Sequence, residues 1–138
     1  MIYPTQADII YLAGIVDGEG SINISTRPSG YQLSLSVSNT AESLIRWLED
    51  RFAGYTRPYG IRPRRRPCWR WTITGDAAAS LLKRLQYHLL IKSYQARLAM
   101  EYWAQRGDYT GRTLPPDEIE RREGFRLALL ASRKGEAA

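Results

Sequence analysis

The chain has 138 residues, 43% hydrophobic and 25% charged, which suits one folded domain with a real core. A single cysteine, Cys68, excludes an internal disulfide framework or a cysteine-rich zinc site, and no apolar run is long enough to span a membrane. The net charge of +6 and a pI near 9.7 point to a polyanionic partner.

Arginine supplies all but three of the 20 basic residues, which favours bidentate phosphate and guanine contacts. Its dominance over lysine also argues against an AT-rich organelle genome. The N-terminus lacks the basic-then-apolar layout of a secretory signal, so an intracellular protein, cytoplasmic or nucleoid rather than organellar, is expected. Acids are absent between Glu19 and Glu42 and again between Asp50 and Asp76. Seven arginines fall in the second gap, so both segments are expected on one electropositive surface.

In chain order, Thr5 to Asp17 reads as a helix, with Thr5 and Asp8 at capping-box spacing. Its apolar residues surround it almost completely, which predicts burial in a core or an interface. "SINISTR" and "YQLSLSVSN" alternate with period two and form a strand pair joined through Pro28, Ser29 and Gly30. Asn39 and Glu42 are placed to cap a helix whose apolar side is Leu44, Ile45, Trp47, Leu48 and Phe52. A second strand pair, "YTRPYG" and "CWRWTIT", is linked by the loop "IRPRRRP". Trp69, Trp71 and Ile73 are expected to face the core, with Cys68, Arg70 and Thr72 on the other face. Asp76 is read as the cap of the next helix. Helices follow over about Ser93 to Arg106 and about Pro116 to Arg133. The four tryptophans read as core, lone His88 as structural, and Cys68 as a bystander.

The expected fold is α+β, in the order αββαββα with extra C-terminal helices. One antiparallel sheet has a packed face and an open polar face. One domain is expected over residues 1–138, with a core of about 5–106 and a helical extension of about 107–138.

The first helix ends in "LAGIVDGEG", Leu12 to Gly20, which puts two acids where a helix C-terminus disfavours them. This stretch closely resembles the LAGLIDADG signature of the homing endonucleases. Gly18 stands for an alanine, and Glu19 for the last aspartate. The resemblance covers roughly residues 5 to 106, and its family builds a saddle-shaped sheet for DNA.

The resemblance implies a site-specific double-strand DNA endonuclease acting as a homodimer on a long, nearly palindromic target. It implies Glu19 as the metal-ligating acid, the Gly18 carbonyl as a further ligand and Asp17 as a structural acid at a neighbouring helix end. Asn39 and Lys92 match positions near the metal-bound water, although Asn39 also reads as a plain helix cap. Hard oxygen ligands imply magnesium (Mg2+), with manganese (Mn2+) substituting and calcium (Ca2+) allowing binding without efficient cleavage. Leu12, Ala13, Gly14 and Val16 are expected to pack on the second copy.

Open-face residues Asn23, Ser25, Arg27, Gln32, Ser34, Ser36, Arg57, Tyr59 and Arg70 are the expected major-groove readers. Arg62, Arg64, Arg65 and Arg66 are the expected phosphate and outer-base contacts. The partners are thus double-stranded DNA and a second copy, with no membrane. The alternative is a non-cleaving DNA- or RNA-binding protein on the same fold.

Overall fold

Helix α1 runs from Gln6 to Glu19 in the computed structural model, which describes residues 3–28, 30–60, 66–107, 109 and 111–137. Thr5 starts it with a complete capping box. The Asp8 amide donates to Thr5 Oγ1 (3.1 Å) and the Thr5 amide donates to Asp8 Oδ2 (2.9 Å). That second bond holds the Asp8 carboxyl below its usual range, against a smaller opposing effect of desolvation. Such a cap contributes about 1 kcal/mol. The helix stops at Gly20, whose amide donates to the Val16 carbonyl. A Cβ at Gly20 would lie 2.6 Å from Val16 Cα, so glycine is what lets helix pass directly into strand.

The strand β1 (Gly20–Arg27) turns back into β2 (Gly30–Asn39) as an antiparallel hairpin. Its register pairs Ile22 with Leu35 and Ile24 with Leu33 on one face, and Asn23 with Ser34 and Ser25 with Gln32 on the other. After α2 (Glu42–Phe52) come β3 (Tyr55–Tyr59) and β4 (Cys68–Thr74). Because β4 pairs with both β2 and β3, the sheet order is β1-β2-β4-β3, antiparallel throughout. Helices α3 (Gly75–Leu85), α4 (Ser93–Gln105) and α5 (Pro116–Ala137) complete the chain. The architecture is therefore α+β, as expected.

One apolar layer lies between the sheet and the helices. Leu33, Leu35, Val37 and Trp71 meet Leu12 and Val16 of α1, Leu48 of α2, Leu82 of α3 and Ala99 of α4, all fully buried. Each large aliphatic side chain in this layer stabilises the fold by about 1.5–3 kcal/mol. Trp71 keeps its polar atom satisfied, donating from Nε1 to the Ala53 carbonyl at 2.7 Å. Leu129 of α5 joins the same layer at 2% exposure.

Two expectations need correction. Leu12, Ala13 and Val16 are spent on the chain's own core and have no surface for a second copy. Of the four expected interface residues, only Gly14 lies on the free side of α1, beside Ile10, Tyr11 and Gly18. Asp76 does not cap α3: the N-cap is Thr74, without a side-chain bond, and the Asp76 side chain is exposed, 3.9 Å from Arg106. Among the described residues, no helix is long and apolar enough to cross a membrane.

Candidate nucleic-acid interface and active site

Strand alternation sends every second side chain to the face of the sheet away from the helices. The register aligns those side chains in rows, Ser21–Ser36–Thr72–Tyr55 and Ser38–Arg70–Arg57 among them. The result is a concavity of about 430 Å³ lined by all nine expected readers together with Tyr55, Pro58 and Thr72. No acid lines it. Ser36 is the exception in reach, since its neighbours in the row leave it only 6% exposed.

The arginines here are held in defined orientations. Arg70 donates from Nε to Ser38 Oγ (2.9 Å), with its guanidinium 3.6 Å from the centre of the Tyr59 ring. Its cross-strand partner Arg57 lies over Tyr55 at 5.4 Å. Two cations directly opposite each other repel, and the tyrosine rings offset part of that cost. An anion placed over the pair would offset more. Arg27 donates from Nε (3.0 Å) and Nη2 (2.7 Å) to Gln32 Oε1, so these two readers hold one another. Arg66 is exposed just before β4, whereas Arg62, Arg64 and Arg65 lie outside the described residues.

At the inner end of this face stands the C-terminus of α1. Asp17 turns its carboxylate away from its own helix. Oδ2 accepts from the Leu90 amide (2.8 Å), and Oδ1 accepts from the amides of Ile91 (3.1 Å) and Lys92 (3.0 Å). These amides lead into α4, whose N-terminal end carries positive partial charge, so the acid is placed where a helix favours it. Lys92 Nζ donates to the Asp17 carbonyl at 2.8 Å, compensating one of the unpaired carbonyls that a helix end leaves.

Glu19, two residues on, is exposed. Asn39, at the end of β2, donates from Nδ2 to Glu19 Oε2 and accepts from the Ala41 amide with Oδ1 (2.8 Å). One side chain thus ties the acid to the start of α2, although the formal N-cap there is Ala41. Glu42 makes no cap and bonds Arg46 instead. Gly18 is exposed, with open space where a Cβ would stand. Glu19, Asn39, Asp17 and Lys92 therefore gather at one end of the sheet.

Tyr55, Pro58 and Thr72 line the face beyond the nine expected readers. Thr72 is expected on this face but not as a reader, and Tyr55 shares the alternation of Arg57 and Tyr59, so period two carries the signal for both. Sequence reading misses Arg133 of α5, which reaches Ser21 and Asn23 from across the edge of β1. No local pattern joins residues that far apart.

No protein-family model matches the chain, and no curated protein matches it by sequence. Solved structures do. The homing endonuclease I-CvuI, in complex with the I-CreI target, is 20% identical over 92% of this chain and 82% of that chain, with a TM-score of 0.74. The archaeal intron-encoded homing endonuclease I-Vdi141I, complexed with DNA, is 11% identical over 91% of this chain and 84% of that one, also at 0.74. The LAGLIDADG meganuclease I-AabMI, bound to uncleaved DNA, is 19% identical over 86% of this chain and 43% of that one, at 0.66. The fold is that of the LAGLIDADG homing endonucleases.

Proposed function

We propose that this chain, with the fold of the LAGLIDADG homing endonucleases, is one subunit of a homodimeric site-specific endonuclease that cuts double-stranded DNA. Its target is long and nearly palindromic, because two-fold symmetry presents the same face twice. The observation that carries the reading is the continuity of one surface: an acid-free, arginine-bearing sheet face that ends at an exposed carboxylate, Glu19. Neighbours of this fold crystallised on DNA support the same partner here.

The free side of α1 supports the second copy. Ile10 and Tyr11 are 51% and 59% exposed, and Gly14 and Gly18 leave a groove beside them. The bonds to Asp17 draw Leu90 (88% exposed) and Ile91 (58%) to the same end. An apolar patch of this kind marks an interaction surface. Two α1 helices packed there bring two Glu19 side chains to the centre of a two-fold site.

The donors suit a hard divalent cation, since the acid sits where helix carbonyl oxygens also gather. Among the described residues, no group of three or more acids, histidines or cysteines could hold a metal alone. Glu19 and the Gly18 carbonyl would hold magnesium, with the second copy and a DNA phosphate completing the set. When bound, the metal lowers the pKa of water and stabilises charge on the attacking and leaving oxygens. Asn39, which donates to Glu19 Oε2, would steady that carboxylate as a ligand. Lys92, fixed at the α1 end by Asp17, supplies a cation to the solvent beside the scissile phosphate. The open-face residues read bases, and Arg66 contributes phosphate contacts with the arginines of the adjoining loop.

The test is gel-shift selection from a randomised duplex library, followed by single-turnover cutting in magnesium, manganese or calcium. Glu19→Gln should keep specific binding without metal and lower cutting by orders of magnitude. Calcium should support binding with little cutting, and manganese should replace magnesium. Cutting at the unaltered rate by Glu19→Gln would remove that residue from the metal site. An unaltered protein that binds one sequence but never cuts it is the non-cleaving binder instead.

A further inference from the structure

The helix α5 lies along β1, which is an edge strand, one side of it unpaired by any other strand among the described residues. Its course is fastened early, where Arg122 Nη2 donates to the Gly107 carbonyl (3.1 Å), and midway, where Leu129 enters the core. Near its end Arg133 reaches over the β1 edge. Its Nη2 donates to Ser21 Oγ (3.0 Å), to the Ile22 carbonyl and to Asn23 Oδ1. Asn23 Nδ2 in turn donates to Ser21 Oγ at 3.0 Å. A helix from the far end of the chain thus grips a side chain that lines the reading face.

We propose that Arg133 is a positioning residue for base recognition, acting through Asn23. The inference rests on the DNA-binding reading above. An unrestrained asparagine presents oxygen or nitrogen equally by rotating its carboxamide, and can pair with adenine through both. Here the oxygen accepts from a guanidinium. Rotation would replace that charge-assisted bond with an NH2 group facing a cation, donor against donor. Arg133 therefore holds the oxygen toward α5 and fixes the nitrogen, which gives one hydrogen to Ser21 Oγ and keeps the other for the groove. Asn23 then reads as a donor. It favours edges that present acceptors, guanine O6 and N7 or thymine O4, and disfavours cytosine, whose major-groove group is itself a donor.

The position affected follows from the strand. Asn23 is four residues beyond Glu19, about 13 Å along an extended chain. At 3.4 Å per base pair, a strand tracking the groove brings it to roughly the fourth pair from the scissile phosphate in each half-site.

Selection from a randomised duplex library tests this with the full chain, Arg133→Ala, Arg133→Lys, Asn23→Ala and the Asn23→Ala/Arg133→Ala pair. Arg133→Ala should select the same site but lose discrimination against cytosine at one pair per half-site by roughly tenfold. Arg133→Lys should fall between, since one ammonium cannot match the planar fork. In the Asn23→Ala background the arginine should no longer matter. In the free protein, the Asn23 side-chain amide resonances should shift in Arg133→Ala and lose their distinct environments. A uniform loss of affinity with a salt slope reduced by about one would make Arg133 a phosphate contact and overturn the proposal. So would an effect that persists without the Asn23 amide, or unchanged selection with binding intact. If the unaltered chain selects no DNA, the reading of the whole face fails and this inference with it.

Discussion

Asp17 stands where the carbonyls of α1 disfavour an anion, yet its carboxylate accepts three amides that lead into α4. Sequence alone exposes the conflict, two acids at a helix end, but not the resolution, because Leu90 lies 73 residues away. The same limit applies to Asn39, whose amide serves Glu19 and the Ala41 backbone together. A prediction follows for Asp17→Asn. Asparagine has one acceptor atom and no charge, so at least one of the three amides loses its partner. Hydrogen bonds to a charged group contribute about 1.5–3 kcal/mol, and the variant should lose about that much on urea unfolding. Hydrogen exchange should speed up at Leu90, Ile91 and Lys92 before it does in the strands. Cutting should fall while affinity for DNA stays, because the open sheet face is untouched. Unchanged exchange at those three amides would mean that Asp17 does not hold them in solution.

Strands are legible where burial imposes period two, which places Asn23, Arg57 and Arg70 on one face from the sequence alone. Pairing between β2 and β4 was not legible, since alternation fixes which face a residue takes but not which strand lies beside it. The helix α1 was ambiguous for a related reason. A helix apolar on every side gives no direction to its buried face, so Leu12, Ala13 and Val16 could be assigned to either neighbour. The role of α5 was hidden because its contacts with the β1–β2 hairpin are long-range. One of these carries a pH dependence. Tyr31 of β2 donates to Glu123 Oε2 (2.8 Å), and Arg126 Nε donates to Glu123 Oε1 (2.9 Å). The Arg126 bond first, and the Tyr31 bond second, hold the Glu123 carboxyl below its usual range. A depressed carboxylate contributes stability above its unfolded pKa and loses it as pH falls through the folded pKa. The fastening of α5 to the hairpin should therefore weaken as pH drops from about 4.3 downward. In Tyr31→Phe the Glu123 titration should move up toward the ordinary value, and the acid-linked part of the stability loss should shrink. Carboxyl-carbon NMR titration with urea unfolding at several pH values checks both. An unmoved Glu123 titration would show that Tyr31 does not contribute.

In the proposed endonuclease, assembly would decide whether both strands are cut, since each copy would bring one Glu19. Gly14 is the position at which assembly and folding separate cleanly. A Cβ there would meet nothing within 4 Å, so a larger side chain projects from α1 without touching the core. Helix propensity also improves by close to 1 kcal/mol when glycine inside a helix becomes leucine. Gly14→Leu should consequently fold at least as stably as the unaltered chain. Leucine would nevertheless hold two α1 helices apart, because small residues are what allow backbones to approach. Sedimentation at micromolar concentration should find a dimer for the unaltered chain and a monomer for Gly14→Leu. Double-strand cutting should vanish in the variant, and protection should shrink to a single half-site. Val16→Ala is the control on the opposite side of the same helix. It removes buried methyl groups from the chain's own core and should lower the unfolding temperature without dissociating the dimer selectively. A Gly14→Leu protein that stays dimeric and cuts would move the two-fold contact off α1 and take the paired Glu19 arrangement with it.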